Sequence, residues 1–440
     1  MASKGCAFLM DMGTGKTLTT IALAGTLSNM KKVLRLLVVC PKSITCVWQQ
    51  EFDKFAGFPF TLAVLDGGSA KKADTIRYMI GEDLQIIVVN YESCWRLESE
   101  LNRWRPDMIV CDESSKIKNP QAKCSKALHR LGKISAYNLI LTGTPITNSP
   151  LDFFSQYKFL DESIFGGSFY AFRNQYAIIG GFQNHQVVGY KNMNDLVKKA
   201  HKIAFRVRLE DAVELPEFVE EVRPVQLEKQ AQKIYDGIDK DSFAELMNGE
   251  VSTRNVLTRL LRLSQCTGGF VRNDAGDFVE QVSAAKLEAL EDILDSAMEE
   301  GRKVVVFARF VPEIDAIKKL LQKKEIGYSL IKGDVKDRAE QVDRFQKDEK
   351  TRVFVGQLQT TGMGLTLTTG SICVYYSLDF SFANYEQSMA RVRRIGQTRR
   401  GVYIHLVAKK TIDEQVMAAL KHKGDVAKIL VDDYRKLLGG

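Results

Sequence analysis

Ala7-Phe8-Leu9-Met10-Asp11-Met12-Gly13-Thr14-Gly15-Lys16-Thr17 (AFLMDMGTGKT) runs from a short apolar segment into a glycine loop, and a helical run, Leu18 to Met30, follows directly. Strand, glycine loop and helix in that order are the context of a phosphate-binding loop. Glycines let the backbone wrap close to phosphate oxygens, and a helix N-terminus offers them unpaired N–H groups. Gly13, Thr14 and Gly15 would form the cradle. Lys16 would reach the β- and γ-phosphates, and Thr17 would ligate a magnesium ion. The full pattern also asks for a glycine at the position of Met10, which this chain lacks.

Working outward, β-branched runs alternate with helical patterns at Leu36 to Cys40, Ile86 to Val89, Met108 to Cys111 and Leu139 to Leu141. Near-continuous apolar strands of this length fit a parallel sheet covered on both faces. Asp112-Glu113 follows the third of these. An acidic pair at a strand's carboxyl end suits a metal ligand, Asp112, beside a residue that orients and deprotonates water, Glu113. An acidic turn capping a helix is the plain alternative. Leu141-Thr142-Gly143-Thr144-Pro145 ends the last strand. Its hydroxyls are placed to sense the nucleotide, but the same residues also make an ordinary strand-to-turn junction.

A second alternating series begins near Lys286, with strands at Val304 to Phe307, Tyr328 to Ile331, Val353 to Val355, Ile372 to Tyr376 and Val402 to Val407. Between the two series, roughly Asp152 to Val282 reads as largely helical. The fold class expected is α/β: two tandem α/β units with parallel sheets and helical insertions between them. The N-terminal lobe is expected over 1–225 with an insertion at about 150–205, and the C-terminal lobe over 226–440 with a protrusion at about 226–282. Near the end, Gln387, Arg391 and Arg394 are spaced four and three residues apart, which on a helix gives one face. Such a face suits a target with several negative charges, although a solvated basic helix reads the same way.

Composition bounds the rest. The chain has 440 residues and 45% hydrophobic content, enough for two cores. The net charge of +8 and a pI near 8.9 are compatible with nucleic acid as a partner. Eight scattered cysteines, with no CxxC pair and no zinc spacing, read as reduced thiols of a cytoplasmic protein. No apolar run reaches transmembrane length, and the start is not a signal peptide.

With these pieces in order, the chain resembles the SWI/SNF-related family of superfamily 2 helicase-type DNA translocases. The resemblance runs through DMGTGKT (Asp11 to Thr17), VVCPKSITCVWQQEF (Val38 to Phe52), DESSKIKN (Asp112 to Asn119) and LTGTPITN (Leu141 to Asn148). It continues in FRVRLEDAVELP (Phe205 to Pro216), VLTRLLRLSQ (Val256 to Gln265), TTGMGLTLT (Thr360 to Thr368) and QSMARVRRIGQ (Gln387 to Gln397). It implies a fold of two tandem RecA-like lobes, with ATP and Mg²⁺ in the cleft between them, at least one of Arg391 and Arg394 acting as an arginine finger and Gln387 helping to close the cleft. Gly362 and Gly364 resemble the segment that couples nucleotide state to DNA, and Gly364 is grouped with the nucleotide-binding residues. Lys42-Ser43, Thr142, Arg309 and Thr360-Thr361 are implied contacts to the phosphate backbone of double-stranded or branched DNA.

The resemblance has departures. Ser114-Ser115 stands where the family has alanine or glycine followed by a relay histidine, which leaves the coupling route open. Phe380-Ser381-Phe382 replaces Trp-Asn-Pro. Only a handful of residues precede the loop where the family places an adenine-recognising element, so weaker adenine selectivity is expected. A minimal prokaryotic or viral motor, monomeric and cytoplasmic (nuclear if eukaryotic), is the leading expectation. Fork reversal, annealing or branch migration on branched DNA is the second. A nucleotide-gated DNA-binding module with little catalysis is the third.

Overall fold

The computed structural model describes residues 4–181, 186–247, 253–272, 279–333, 335, 337–360 and 365–432. Thr361, Gly362 and Gly364 lie outside the described residues. The chain divides into two compact units, one of residues 1–213 with 423–440 and one of residues 214–422.

The first unit is built on strands β1 (Gly5–Met10), β2 (Arg35–Cys40), β3 (Phe60–Val64), β4 (Leu84–Asn90), β5 (Met108–Asp112), β6 (Tyr137–Thr142) and, after an antiparallel hairpin of β7 (Ala177–Gly180) and β8 (Gln186–Tyr190), β9 (Ala204–Val207). Their order in the sheet is β3-β4-β2-β5-β6-β1-β9, and every pairing is parallel. Side chains alternate between faces, so each strand feeds two cores. Phe8, Met10, Leu36, Val38, Ile86, Val88, Val110 and Leu141 pack on one side. Ala7, Leu9, Leu37, Val39, Ile87, Val89, Ile109 and Ile140 pack on the other. That is why the strands read as unbroken apolar runs.

The second unit carries β10 (Phe218–Val225), a small antiparallel pair of β11 (Phe270–Arg272) and β12 (Val279–Gln281), then β13 (Lys303–Ala308), β14 (Gly327–Ile331), β15 (Thr351–Gln357), β16 (Gly370–Tyr375) and β17 (Gly401–Ala408). Its main sheet has the order β10-β17-β16-β13-β15-β14, again parallel throughout. Two tandem parallel α/β sheets are the RecA-like pair read from the sequence, and all ten strands named there are present.

The region from Asp152 to Val282 is not as helical as expected. It contains helices at Phe153–Leu160, Phe169–Tyr176, Met193–His201, Lys229–Met247 and Thr253–Thr267, but also β9 and β10, each on an edge of its sheet. An edge strand buries little, so its apolar signal is weak. Four consecutive residues of β10 are exposed, and Pro224 sits in it without costing a central ladder bond. The Phe169–Tyr176 helix is core, as its aromatic spacing suggests. Phe172 and Tyr176 are buried and meet Phe165 edge-on, Phe172 also packs at a tilt against Phe154, and Tyr170 faces solvent.

Candidate functional site

The residues singled out in the first unit hang from the carboxyl ends of its strands, the side on which parallel α/β sheets bind ligands. After β1 the chain turns through Gly13 and Gly15, both with positive φ (84° and 88°), into helix α1 (Lys16–Asn29). Only glycine takes this backbone at no cost, and a Cβ on Gly15 would meet nothing within 4 Å, so the loop is an open cradle. Lys16 Nζ donates to the carbonyls of Met10 (2.8 Å) and Asp11 (3.0 Å), which holds the ammonium over the loop. Thr14 Oγ1 donates to the Asp11 carbonyl at 2.8 Å. The first turn of α1 has no acidic residue, and Thr17 lies half-buried within it. These groups fit a triphosphate: donors, a cation and room.

Asp112, the last residue of β5, is buried. Its Oδ2 accepts from Trp48 Nε1 at 3.0 Å, and its Oδ1 accepts from the Glu113 N–H at 2.9 Å. Burial, then the neighbouring Glu113 charge, pushes the Asp112 carboxyl up to about 7, and Lys16 pulls the other way. Glu113 is half-buried with left-handed backbone, φ 52° and ψ 54°, and it caps a 3-10 turn, Ser114–Ile117. That conformation in a non-glycine residue costs about 1–3 kcal/mol and persists only where its surroundings hold it. Among the described residues no three His, Cys, Asp or Glu side chains converge on a metal position. A magnesium ion beside Thr17 and Asp112 would complete its shell with phosphate and water, as it commonly does.

The Thr142–Pro145 turn packs against the loop, and a Cβ on Gly143 would sit 3.3 Å from the Met10 carbonyl. Thr142 is buried, and its hydroxyl accepts from the Thr144 N–H at 3.1 Å. Lys42 and Ser43 are exposed on a 3-10 turn just beyond β2. Arg206 on β9 has no counterpart in the sequence reading, although it lies in the quoted FRVRLEDAVELP segment. Its guanidinium ion-pairs with Asp11 (2.6 Å) and with Asp432, and donates to the Leu9 carbonyl at 3.1 Å. Trp48 and Gln156 were likewise invisible as site residues, because their roles depend on partners far away in the chain.

In the second unit, helix Phe382–Val392 starts at Ser381, whose side chain accepts from the Asn384 N–H. Gln387 and Arg391 lie on it, Arg391 buried and Gln387 half-buried. Arg394 does not: the helix ends at Val392, so the expected single helical face is corrected to two residues. The Gln397 amide donates to the Val392 carbonyl (3.2 Å) and to Gly370 (2.8 Å), while its oxygen accepts from the Thr398 and Arg399 N–H groups. This side-chain cap ends the helix and sends Arg394 to Thr366 Oγ1 at 3.0 Å. Arg309 and Thr360 sit beside one another at strand ends. Gln357 Nε2 donates to the Arg309 carbonyl at 3.3 Å, and Thr360 Oγ1 donates to the Gln357 carbonyl at 2.8 Å. Arg259 pairs with Asp239, and Arg262 is exposed.

Beneath Arg309 lies a buried carboxyl, Glu313. Its Oε2 accepts from the Arg309 N–H (3.1 Å), the Phe310 N–H (3.0 Å) and the Ser377 hydroxyl, while Oε1 has no hydrogen-bond partner. Burial lifts this carboxyl to about 7 from its ordinary 4.5. The folded protein therefore holds the proton where the unfolded chain has lost it. The resulting stability is fully present below about 4.5 and is lost as pH rises through about 7. Glu313→Gln, which cannot ionise, should gain on wild type over that window by roughly 3 kcal/mol. Denaturant melts of both proteins at several pH values between 4.5 and 8 check this, and parallel curves would refute it.

Two parallel α/β units, one bearing a phosphate loop with an acid pair and the other an arginine-rich helix end, define a P-loop ATPase of helicase type. The chain belongs to the SNF2-related domain family: that family's model matches residues 1–268, and the helicase conserved C-terminal domain matches residues 285–396. An uncharacterized ATP-dependent helicase of Mycoplasma genitalium is 28% identical over 432 aligned residues, covering 96% of this chain and 40% of its own length. A RAD54-like DNA repair and recombination protein of Danio rerio is 26% identical, over 98% of this chain and 64% of its own. The chain thus spans about two fifths to two thirds of these relatives. A solved SWI2/SNF2 ATPase core from Sulfolobus solfataricus, in complex with double-stranded DNA, aligns over 98% of this chain and 90% of that one, with 25% identity and a TM-score of 0.44. No described helix is long and apolar enough to cross a membrane, and all eight cysteines are free thiols.

Proposed function

We propose that this chain is a DNA-stimulated ATPase that translocates on double-stranded DNA. The observation that carries the reading is the constellation of Lys16 and Thr17 after β1 with Asp112 and Glu113 at the end of β5, two strands that flank β6 in one parallel sheet of a family member. Gly13 to Thr17 bind the phosphates of ATP through backbone N–H groups and the Lys16 ammonium. Thr17 and Asp112 would hold Mg²⁺, which would supply positive charge against that building on the phosphate oxygens. Glu113 orients the attacking water and takes its proton. Arg391 and Arg394, with Gln387, meet the γ-phosphate when the lobes close, and opening after hydrolysis resets the motor.

Lys42, Ser43, Arg309 and Thr360 contact the DNA backbone, with Thr142 supporting its turn from within. Backbone contacts suit a motor that must let go of every sequence equally. Phosphate release measured with linear duplex, single strand, four-way junction and duplex RNA tests this. Linear duplex is expected to stimulate most. Stimulation confined to the junction would replace translocation with branched-DNA remodelling, in keeping with the RAD54-like relative being a DNA repair and recombination protein. No stimulation by any nucleic acid would leave a nucleotide-gated binding module.

A further inference from the structure

Ser114, which stands where the family has alanine or glycine ahead of its relay histidine, is the start of a buried polar chain. Ser114 Oγ donates to Gln156 Oε1 at 2.7 Å. Gln156 Nε2 donates to the carbonyls of Pro145 (2.8 Å) and Asp152 (2.9 Å). Asp152 Oδ2 then accepts from the Thr147 N–H (2.9 Å), the Thr147 hydroxyl (3.0 Å) and the Asn148 N–H (2.8 Å). Lys118 Nζ donates to the same Thr147 hydroxyl. Ser114 and Gln156 are 0% exposed, so each bond is made in full without competing water.

The directions of these bonds are forced. Two carbonyls can only accept, so the Gln156 NH₂ must face them and its oxygen must face Ser114. The Ser114 hydroxyl therefore has to donate. The chain begins one residue after Glu113, whose left-handed backbone needs fixing from both sides. On one side its N–H is bound to Asp112 Oδ1; on the other stands Ser114. It ends at Asn148, which is exposed.

We propose that Ser114 and Gln156 are positioning residues: they hold Glu113 in its hydrolytic orientation and tie it to the Thr144–Asn148 turn, so that nucleotide state at the acid pair is transmitted to that turn. The inference rests on the ATPase reading above, but it has a readout that needs only nucleotide.

Hydrogen exchange of peptides covering 143–148 should change when ADP–beryllium fluoride and Mg²⁺ are added to the intact protein. In Ser114→Ala that change should fall by more than half, and duplex-stimulated kcat should drop about 5- to 20-fold with KM for ATP within about twofold. Ser114→Ala leaves Gln156 Oε1 buried without its donor, so it also lowers Tm by about 2–4 °C. Assays run roughly 20 °C below the Tm of Ser114→Ala separate the two effects, because both proteins are then fully folded and kcat of the variant should still be low.

A wild-type kcat in Ser114→Ala at that temperature, an unchanged exchange response in Ser114→Ala, or a wild-type 143–148 segment that ignores nucleotide would each overturn the proposal. A wild-type protein that shows the exchange response but no DNA stimulation would instead count against the translocase reading.

Discussion

Arg394→Ala is expected to cut duplex-stimulated turnover by roughly 10³–10⁵, the range an arginine finger supplies in P-loop enzymes, while ATP still binds. In barrier terms that is about 4–7 kcal/mol. Two arginines compete for the role, and the structure separates them. Arg391 is buried on its helix, and its carbonyl accepts from the Leu367 N–H at 2.9 Å, so its replacement also disturbs packing. Arg394 lies beyond the helix end, only partly buried, with its guanidinium on Thr366 and the Leu365 carbonyl. Exchanging a hydroxyl for a γ-phosphate would move it from a neutral acceptor to a charged one, which gives a bond about twice as strong. Arg394→Lys should recover little, because a point charge lacks the planar fork. Single-turnover phosphate release in saturating duplex, beside equilibrium binding of a fluorescent ATP analogue, makes the test. Normal turnover in Arg394→Ala would dismiss the two-lobe site.

Glu113→Gln should lower kcat by about 10²–10⁴ with nucleotide affinity within a few-fold of wild type. The substitution keeps size and hydrogen-bonding reach and removes only the base. Asp112 is a poor substitute. It is buried, and its two oxygens already accept from Trp48 and the Glu113 N–H. Glu113 is half-exposed at the strand end, where a water can reach it. A rapid-quench burst that vanishes in Glu113→Gln, with ATP retained on the protein, is the expected result. A variant that still turns over within tenfold of wild type would shift the base elsewhere.

Much of this was legible from residues alone because the signals are local. AFLMDMGTGKT states strand, turn and helix within eleven positions, and its glycines stand where the backbone takes positive φ. The parallel sheets were legible because strands covered on both faces must be apolar on both. Edge strands β9 and β10 were missed for the converse reason. The helical face shared by Gln387, Arg391 and Arg394 failed at its last member, since Gln397 caps the helix by a side-chain bond that spacing does not reveal.

The two α/β units, the glycine loop, the acidic dipeptide after β5 and the family were readable from the residues, since all are properties of short contiguous segments. Which distant groups complete them follows from the folded arrangement. Arg206 reaches Asp11 across 195 positions, Trp48 reaches Asp112 across 64, and Gln156 reaches Ser114 across 42. None of these partners has a pattern of its own. Each is assigned because a buried donor or acceptor must be satisfied, and which atom satisfies it depends on how the strands are ordered in space.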